Sequence, residues 1–212
     1  NTTASMTKKI AAAARSVARP DTDIVAANSQ NGPASIQGFL DVATCVPGLL
    51  EEVARHPDVD AIVIACFDDT GLDAVRSLVS VPVLGIGEAA YHAASMIATK
   101  FSVITTLSRS VPGLENNLLR YGLAQKCARV RATDIPVLKI EEGDPATLFK
   151  IRSEIREAID QDHAEAIVLG CAGMADLMAQ LSEEFGLPVI DGVAAGVALA
   201  EALVNCGLKT SK

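Results

Sequence analysis

The stretch Glu165–Met174, "EAIVLGCAGM", decides how the chain reads. Apolar residues run from Ala166 to Leu169, Gly170 breaks the run, and Cys171 follows just before a second glycine, Gly173. A short apolar run that stops at a glycine turn suits a strand buried on both faces of a parallel sheet. The carboxyl end of such a strand is the rim where open α/β sheets bind ligands. A thiol therefore stands at a binding rim. "DAIVIACFDD", Asp60–Asp69, repeats the arrangement with Cys66.

Working outward, strand-like runs alternate with helical patterns. The runs are "DIVAA" (23–27), "DAIVIA" (60–65), "VPVLGI" (81–86), "FSVIT" (101–105), "IPVLKI" (135–140), "EAIVLG" (165–170) and "LPVI" (187–190). Helices are expected over about 5–18, 35–55, 70–79, 88–99, 109–122, 145–161, 174–185 and 192–206. Parallel strands need helical crossovers, which are right-handed almost without exception.

The halves echo one another. "VDAIVIAC" ends at Cys66 and "AEAIVLGC" at Cys171, an offset of 105 (171 − 66). "VPVLGIGEAA" and "LPVIDGVAAG" align Pro82 with Pro188 at 106 (188 − 82), and Thr105 falls 104 residues (105 − 1) after Asn1. Any βαβ chain shows some echo, but three landmarks agreeing within two residues mark an internal repeat. The expected fold is α/β: two similar lobes, each a parallel sheet flanked by helices, related by a pseudo-twofold axis with the active site between them. Residues 1–95 with 190–212 form the first lobe and 96–189 the second. Because "FSVI" precedes Thr105, a matching strand is expected before Asn1, a strand's length inside the natural chain.

Composition narrows the function. Half of the 212 residues are hydrophobic and 3% aromatic, the mix of aliphatic strands under Ala-rich helices. A net charge of −8 without a basic cluster disfavours nucleic acid and anionic membrane as partners. No apolar run reaches the ~18 residues of a membrane span, and no signal peptide is visible. The cysteines, at 45, 66, 127, 171 and 206, are odd in number and contain no C-x-x-C, against a disulfide framework or zinc knuckle and in favour of a reducing cytoplasm. His56, His92 and His163 make no metal-ligand pattern, and His92 reads as a helix-surface or packing residue.

Each candidate thiol precedes a turn and a helix, whose free N–H groups are expected to lower its pKa. Asp68 or Asp69 beside Cys66 would act in the opposite sense; alternatively Asp69 or Thr70 caps the next helix. Gly71, Gly170 and Gly173 allow close approach of backbone to ligand. The hydroxyl-rich loops "NTTAS", from Asn1, and "TTLSRS", from Thr105, and the loop "NGPASIQG" (31–38) each open a helix, with Ser35 a plausible cap. Cys45, Cys127 and Cys206 read as packing residues. Two thiols across one cleft suit proton exchange at a carbon next to a carbonyl: one thiolate takes the proton from one face, the other thiol returns one to the opposite face, and the stereocentre inverts. No metal or organic cofactor is called for if the enolate oxygen meets preorganised donors.

"ACFDDTGLDAVRSL", "VPVLGIGEAAYHAA", "VITTLSRSVPGLE" and "VLGCAGMADL" resemble the hydantoin racemase branch, allantoin racemases included, of the aspartate/glutamate racemase superfamily. "NTTASMT" and "GPASIQG" are similar to that branch's N-terminal motifs. The resemblance implies cofactor-independent racemisation of 5-monosubstituted hydantoins with Cys66 and Cys171 as acid/base pair, and a homo-oligomer, a tetramer or hexamer. Amino-acid racemases of the superfamily carry Cys-Asn-Thr and Cys-Thr where this chain has Cys-Phe-Asp and Cys-Ala-Gly, which points away from free amino acids. Cys66 argues against an arylmalonate decarboxylase; a maleate isomerase remains an alternative. The candidate substrate-binding residues are Asn1, Ser35, Ile36, Phe67, Asp68, Thr105, Gly170, Ala172 and Gly173. A different class, a two-lobed small-molecule binding protein with incidental cysteines, is also compatible with the pattern.

Overall fold

The quoted strand, β5 in chain order, spans Ala166–Leu169 and is buried at all four positions. It lies between two parallel neighbours, β3 (Phe101–Thr105) and β6 (Val189–Asp191), with Val103 opposite Val168 and Val168 opposite Ile190. A fourth strand, β4 (Cys127–Ala132), pairs parallel with the far side of β3, giving the order β4-β3-β5-β6. The other sheet pairs β1 (Ile62–Ile64) with β2 (Val83–Gly85), Val63 opposite Leu84. The computed structural model describes residues 1–140 and 143–211; Glu141, Glu142 and Lys212, which belong to the expected lobes, lie outside it.

Helices follow the strands as the repeat demands. In the first half they are α1 (Ala4–Val17), α2 (Phe39–Ala54), α3 (Leu72–Leu78) and α4 (Ile86–Ile97). In the second half come a 3-10 turn (Ser108–Ser110), α5 (Val111–Arg120), α6 (Val137–Ile140), α7 (Pro145–Asp160), a 3-10 segment (Ala172–Leu177), α8 (Met178–Phe185) and α9 (Gly192–Asn205). The start of α7 shows the local logic: Asp144 accepts the Ala146 and Thr147 N–H groups at 2.9 and 3.1 Å, and Pro145 follows where no N–H is needed.

The equivalent helices α4 and α9 pack on each other. Their first residues, Ile86 and Gly192, are repeat mates (192 − 86 = 106) and touch: a Cβ on Gly192 would lie 2.5 Å from the Ile86 carbonyl oxygen. The pseudo-twofold relation therefore passes through this glycine contact.

Several expectations are corrected. "DIVAA" (23–27) is not a strand: no strand pairs with it among the described residues, though Ile24 packs on the core and its carbonyl accepts from Arg15 at 3.1 Å. "IPVLKI" (135–140) is not one either. Ile135 N–H still reaches Thr106 O at 3.2 Å, but Pro136 has no N–H to continue and Val137–Ile140 coils into α6. The true strand, β4, lies earlier and is half exposed, with arginines at 129 and 131. The helix expected from residue 35 begins at Phe39, because Gly32 and Gly38 hold left-handed φ of 122° and 146° before it; Ser35 caps nothing and instead accepts from Gln37 Nε2 at 2.6 Å.

Candidate active site

Cys66 and Cys171 line one cleft between the halves. Each is placed by its strand: β1 ends at Ile64, two residues before Cys66, and β5 at Leu169, two before Cys171. Ala65, Phe67 and Asp68 flank the first thiol, Gly170 and Ala172 the second. Thr105, Thr106, Ser110, Leu114, Met6, Ile36 and Val137 complete the lining. The enclosed space is narrow, about 40 Å³. Immediately outside is a shallow hollow of about 330 Å³ bordered by Gln37, Arg109 and Pro136, the chain neighbours of cleft residues Ile36, Ser110 and Val137. Arg109 Nη2 donates to Gln37 Oε1 at 3.3 Å across this mouth.

The two thiols have matching donors. The backbone N–H two residues on, of Asp68 and of Gly173 respectively, approaches each sulfur, and Thr70 Oγ1 also donates to Cys66 Sγ at 3.5 Å. These donors do not decide the acidity. Burial, reinforced by the Asp68 charge, pushes Cys66 up to about 12, and burial pushes Cys171 up to about 11. The expectation that helix ends depress the thiol pKa values is thus overturned. Gly71 caps α3 with φ 73°, and Cys171 precedes only a 3-10 segment, so neither thiol faces the open end of a long helix.

Asp69 caps a helix, though not the next one. Its carboxylate accepts the Gly87 and Glu88 N–H groups at 2.8 and 2.7 Å, at the start of α4, and the Tyr121 hydroxyl at 2.8 Å. Burial pushes it up to about 7 against those three donors. Side chains on Gly85 or Gly87 would overlap this carboxylate, which explains both glycines. The turn carrying Cys66, Phe67 and Asp68 is thereby pinned to the base of α4.

The cleft brings together Cys66, Cys171, Ile36, Phe67, Asp68, Thr105, Gly170 and Ala172 from the sequence-derived set. Asn1, Ser35 and Gly173 are not in its lining. Asn1 stands behind it, donating to Met6 Sδ at 3.4 Å and accepting the Thr3 N–H at 3.0 Å. The loops at 1–3 and 33–34 are stitched by Thr2 N–H to Pro33 O at 3.1 Å and Thr3 Oγ1 to Ala34 O at 2.7 Å. Thr105 is fixed from beneath, its hydroxyl donating to Gly170 O at 3.0 Å. Met6, Ala65, Thr106, Ser110, Leu114 and Val137 are additional lining residues; Thr106 and Ser110 sit in the quoted loop "TTLSRS", and that hydroxyl content was their available signal. His92 lies within α4 with Nδ1 2.9 Å from Glu88 O. Among the other cysteines Cys45 is buried and Cys127 partly so, but Cys206 is exposed at the end of α9, where the helix leaves the core, and is not a packing residue.

Comparison with known proteins agrees with this architecture. The family model for Asp/Glu/hydantoin racemases matches residues 1–200. A hydantoin racemase of Rhizobium meliloti is 48% identical over all of this chain and 89% of its own length, and one of Pseudomonas sp. (strain NS671) is 46% identical over all of this chain and 86% of its length. The solved structure of allantoin racemase from Klebsiella pneumoniae superposes with a TM-score of 0.96 at 46% identity, covering all of this chain and 87% of that one. No helix among the described residues is long and apolar enough to cross a membrane. The chain belongs to the Asp/Glu/hydantoin racemase family and is a racemase, an isomerase of two α/β lobes.

Proposed function

We propose that this racemase inverts 5-monosubstituted hydantoins at C5 by a two-base mechanism with Cys66 and Cys171. The observation that carries the reading is that both thiols, from equivalent strand tips of the two halves, line one cleft. The thiolate of one cysteine forms an S–H bond to the C5 hydrogen while the C5–H electron pair moves into the ring, leaving negative charge on the C4 oxygen. The other thiol then gives its proton to the opposite face of C5, becomes the thiolate, and the carbonyl re-forms. One proton enters and one leaves, so no oxidant or reductant is required. Each direction of the reaction uses the cysteines in opposite roles.

The cleft is too tight for a ring without movement of its rims. Parting of the Arg109–Gln37 contact would open it towards the outer hollow, the natural direction for the C5 substituent. The high thiol pKa values keep the acid of the pair protonated and require that the other thiol lose its proton before each turnover. The similarity to the Klebsiella pneumoniae allantoin racemase supports a second reading, in which the substituent is a ureido group. A tetramer or hexamer in the cytoplasm, and lobes of 1–95 with 190–212 and of 96–189, complete the proposal. The return of the C-terminal segment to the first lobe is supported by α9 packing on α1, α4, β1 and β2, and by Thr210 bonding Ser80 O and Val81 O at 2.8 and 2.7 Å, while Ile190 and Asp191, the end of β6, pair with β5 of the second lobe.

The test is solvent exchange. In D₂O, an enantiopure 5-alkyl hydantoin should acquire deuterium at C5 and lose optical activity, with allantoin run in parallel to rank the two substrates. Binding of the hydantoin without exchange would instead make the protein a two-lobed binder, and turnover of maleate alone would make it an isomerase of a different bond.

A further inference from the structure

Among the described residues, Asp68 is the one carboxylate lining the cleft, and that lining contains no Lys, Arg or His. Its main chain is fixed at both ends: the carbonyl accepts from Asn117 Nδ2 at 2.9 Å and the N–H faces the Cys66 sulfur. Its side chain has no hydrogen bond or ion pair among the described residues. The cations of the neighbouring helices are engaged elsewhere, Arg120 with Asp73 and Arg76 with Glu88. A carboxylate without a donor, set among Phe67, Ile36 and Leu114, is an arrangement that costs stability unless a ligand completes it.

Resting on the reading of the cleft as a hydantoin site, we infer that Asp68 is a specificity residue that accepts the substrate's ring N–H adjacent to C5 and turns away substrates bearing a carboxylate at that place. Only Phe67 separates it from Cys66, and a ring whose C5 meets that sulfur can present N1–H, bonded to C5, on the Asp68 side. The N–H of a hydantoin completes the carboxylate's empty acceptor sites. The carboxylate of a free amino acid would bring a second negative charge beside Asp68, where the described lining offers no Lys, Arg or His, which is repulsive at close range in a partly desolvated site. Burial alone raises Asp68, to about 6, and no cation answers it. At about 6 it is still mostly the anion at neutral pH, and the anion can only accept.

The experiment compares a 5-alkyl hydantoin with its N1-methyl and N3-methyl derivatives, on the unaltered protein and on Asp68→Asn, by C5 deuterium exchange and KM. N1-methylation should reduce kcat/KM of the unaltered protein by about tenfold or more, the worth of a charge-assisted hydrogen bond, and N3-methylation by much less. Asp68→Asn should raise KM about tenfold and erase most of the difference between parent and N1-methyl compound. An N1-methyl penalty that persists in Asp68→Asn is steric and overturns the inference, as does equal tolerance of N1- and N3-methyl groups by the unaltered protein, a result that needs no variant to fold. Exchange of no hydantoin at all by the unaltered protein overturns the hydantoin reading together with the inference, whereas normal exchange without N1 dependence overturns the inference alone.

Discussion

Asp69 and Asp191 place the same carboxylate at equivalent helix starts by different routes. Asp191, the last residue of β6, caps α9 by accepting the Ala194 N–H at 2.8 Å. Its repeat mate in the first half is Gly85 (191 − 85 = 106), which has no side chain, and Asp69 reaches across from the Cys66 turn to accept the Glu88 N–H at 2.7 Å at the start of α4. Cap and cysteine-bearing turn are thus one unit in the first half of the repeat and separate in the second. Asp69→Ala strips acceptors from two backbone N–H groups and the Tyr121 hydroxyl, and should cost about 2–4 kcal/mol in denaturant unfolding. It should also lower activity more than Asp191→Ala, since only Asp69 ties the Cys66 turn to the helix. Equal losses of activity in the two variants would show that the turn does not depend on the cap.

The two adjacent carboxylates of the Cys66 turn, Asp68 and Asp69, make stability depend on pH in a particular direction. Burial raises Asp68 to about 6 and Asp69 to about 7, from 3.8. The folded state then holds protons that the unfolded chain has released, so these two groups favour folding most below about pH 4 and lose that contribution as pH rises through 6 to 7. Asp68→Asn removes one of them without removing a protein hydrogen bond. The variant should gain on the unaltered protein by about 2 kcal/mol between pH 4 and pH 7 in urea titrations. A constant difference across that window would place the Asp68 pKa near its ordinary value.

Catalysis should show the opposite dependence. A thiol at about 12 and another at about 11 are both protonated at neutrality, and the reactive thiolate gains about tenfold per pH unit. The exchange rate under kcat/KM conditions should climb with that slope from neutral pH toward pH 10. In Asp68→Asn, where the charge raising both thiols is gone, the climb should begin at lower pH. A rate that is flat above pH 7 would mean that one thiol already ionises near neutrality.

Much of the fold was legible because buried parallel strands announce themselves by apolar runs, and the two thiols by their shared position after such runs. The misread parts are those whose partners are tertiary. Transferred by 105 residues, "DIVAA" (23–27) falls on 128–132, nearly the observed β4, Cys127–Ala132. That strand escaped notice because it is an edge: Arg131 lies within it and is stitched to Asp162 at 2.6 Å, so charge interrupts the apolar run. The Asp69 cap could not be read from sequence, since it bonds residues 18 and 19 positions away. Met6 and Val137 reach the cleft only through the packing of α1 and α6, and the low thiol acidity follows from burial, which strand patterns do not quantify.

The contact between Ile86 and Gly192 predicts how the junction of α4 and α9 resists being opened. Gly192→Ala places a methyl carbon 2.5 Å from the Ile86 carbonyl oxygen, a backbone atom that cannot rotate away. Overpacking at this junction should cost about 1–3 kcal/mol and shift α9 against α4. Gly186→Ala has open space but a left-handed φ of 66°, and so tests backbone strain alone, far from the cleft. If the seating of α9 on α4 matters to the two-thiol geometry, Gly192→Ala should lose activity beyond its loss of stability and Gly186→Ala should not. Parallel loss in both would confine the role of Gly192 to folding.

Single thiol replacements separate the two faces of the reaction. Inversion needs a base and an acid together, so Cys66→Ser and Cys171→Ser should each abolish racemisation, because a serine hydroxyl keeps the shape but ionises far too weakly to serve as base near neutral pH. Each variant still holds one competent thiol, which can take the C5 proton of the enantiomer facing it and return a solvent deuteron to the same side. Each should therefore exchange one enantiomer without inverting it, and the two variants should prefer opposite enantiomers. The readout is deuterium uptake by pure D- and L-hydantoin with each protein. Near-normal racemisation by either variant would end the two-base reading, and the same enantiomer preference in both would show that the thiols do not address opposite faces.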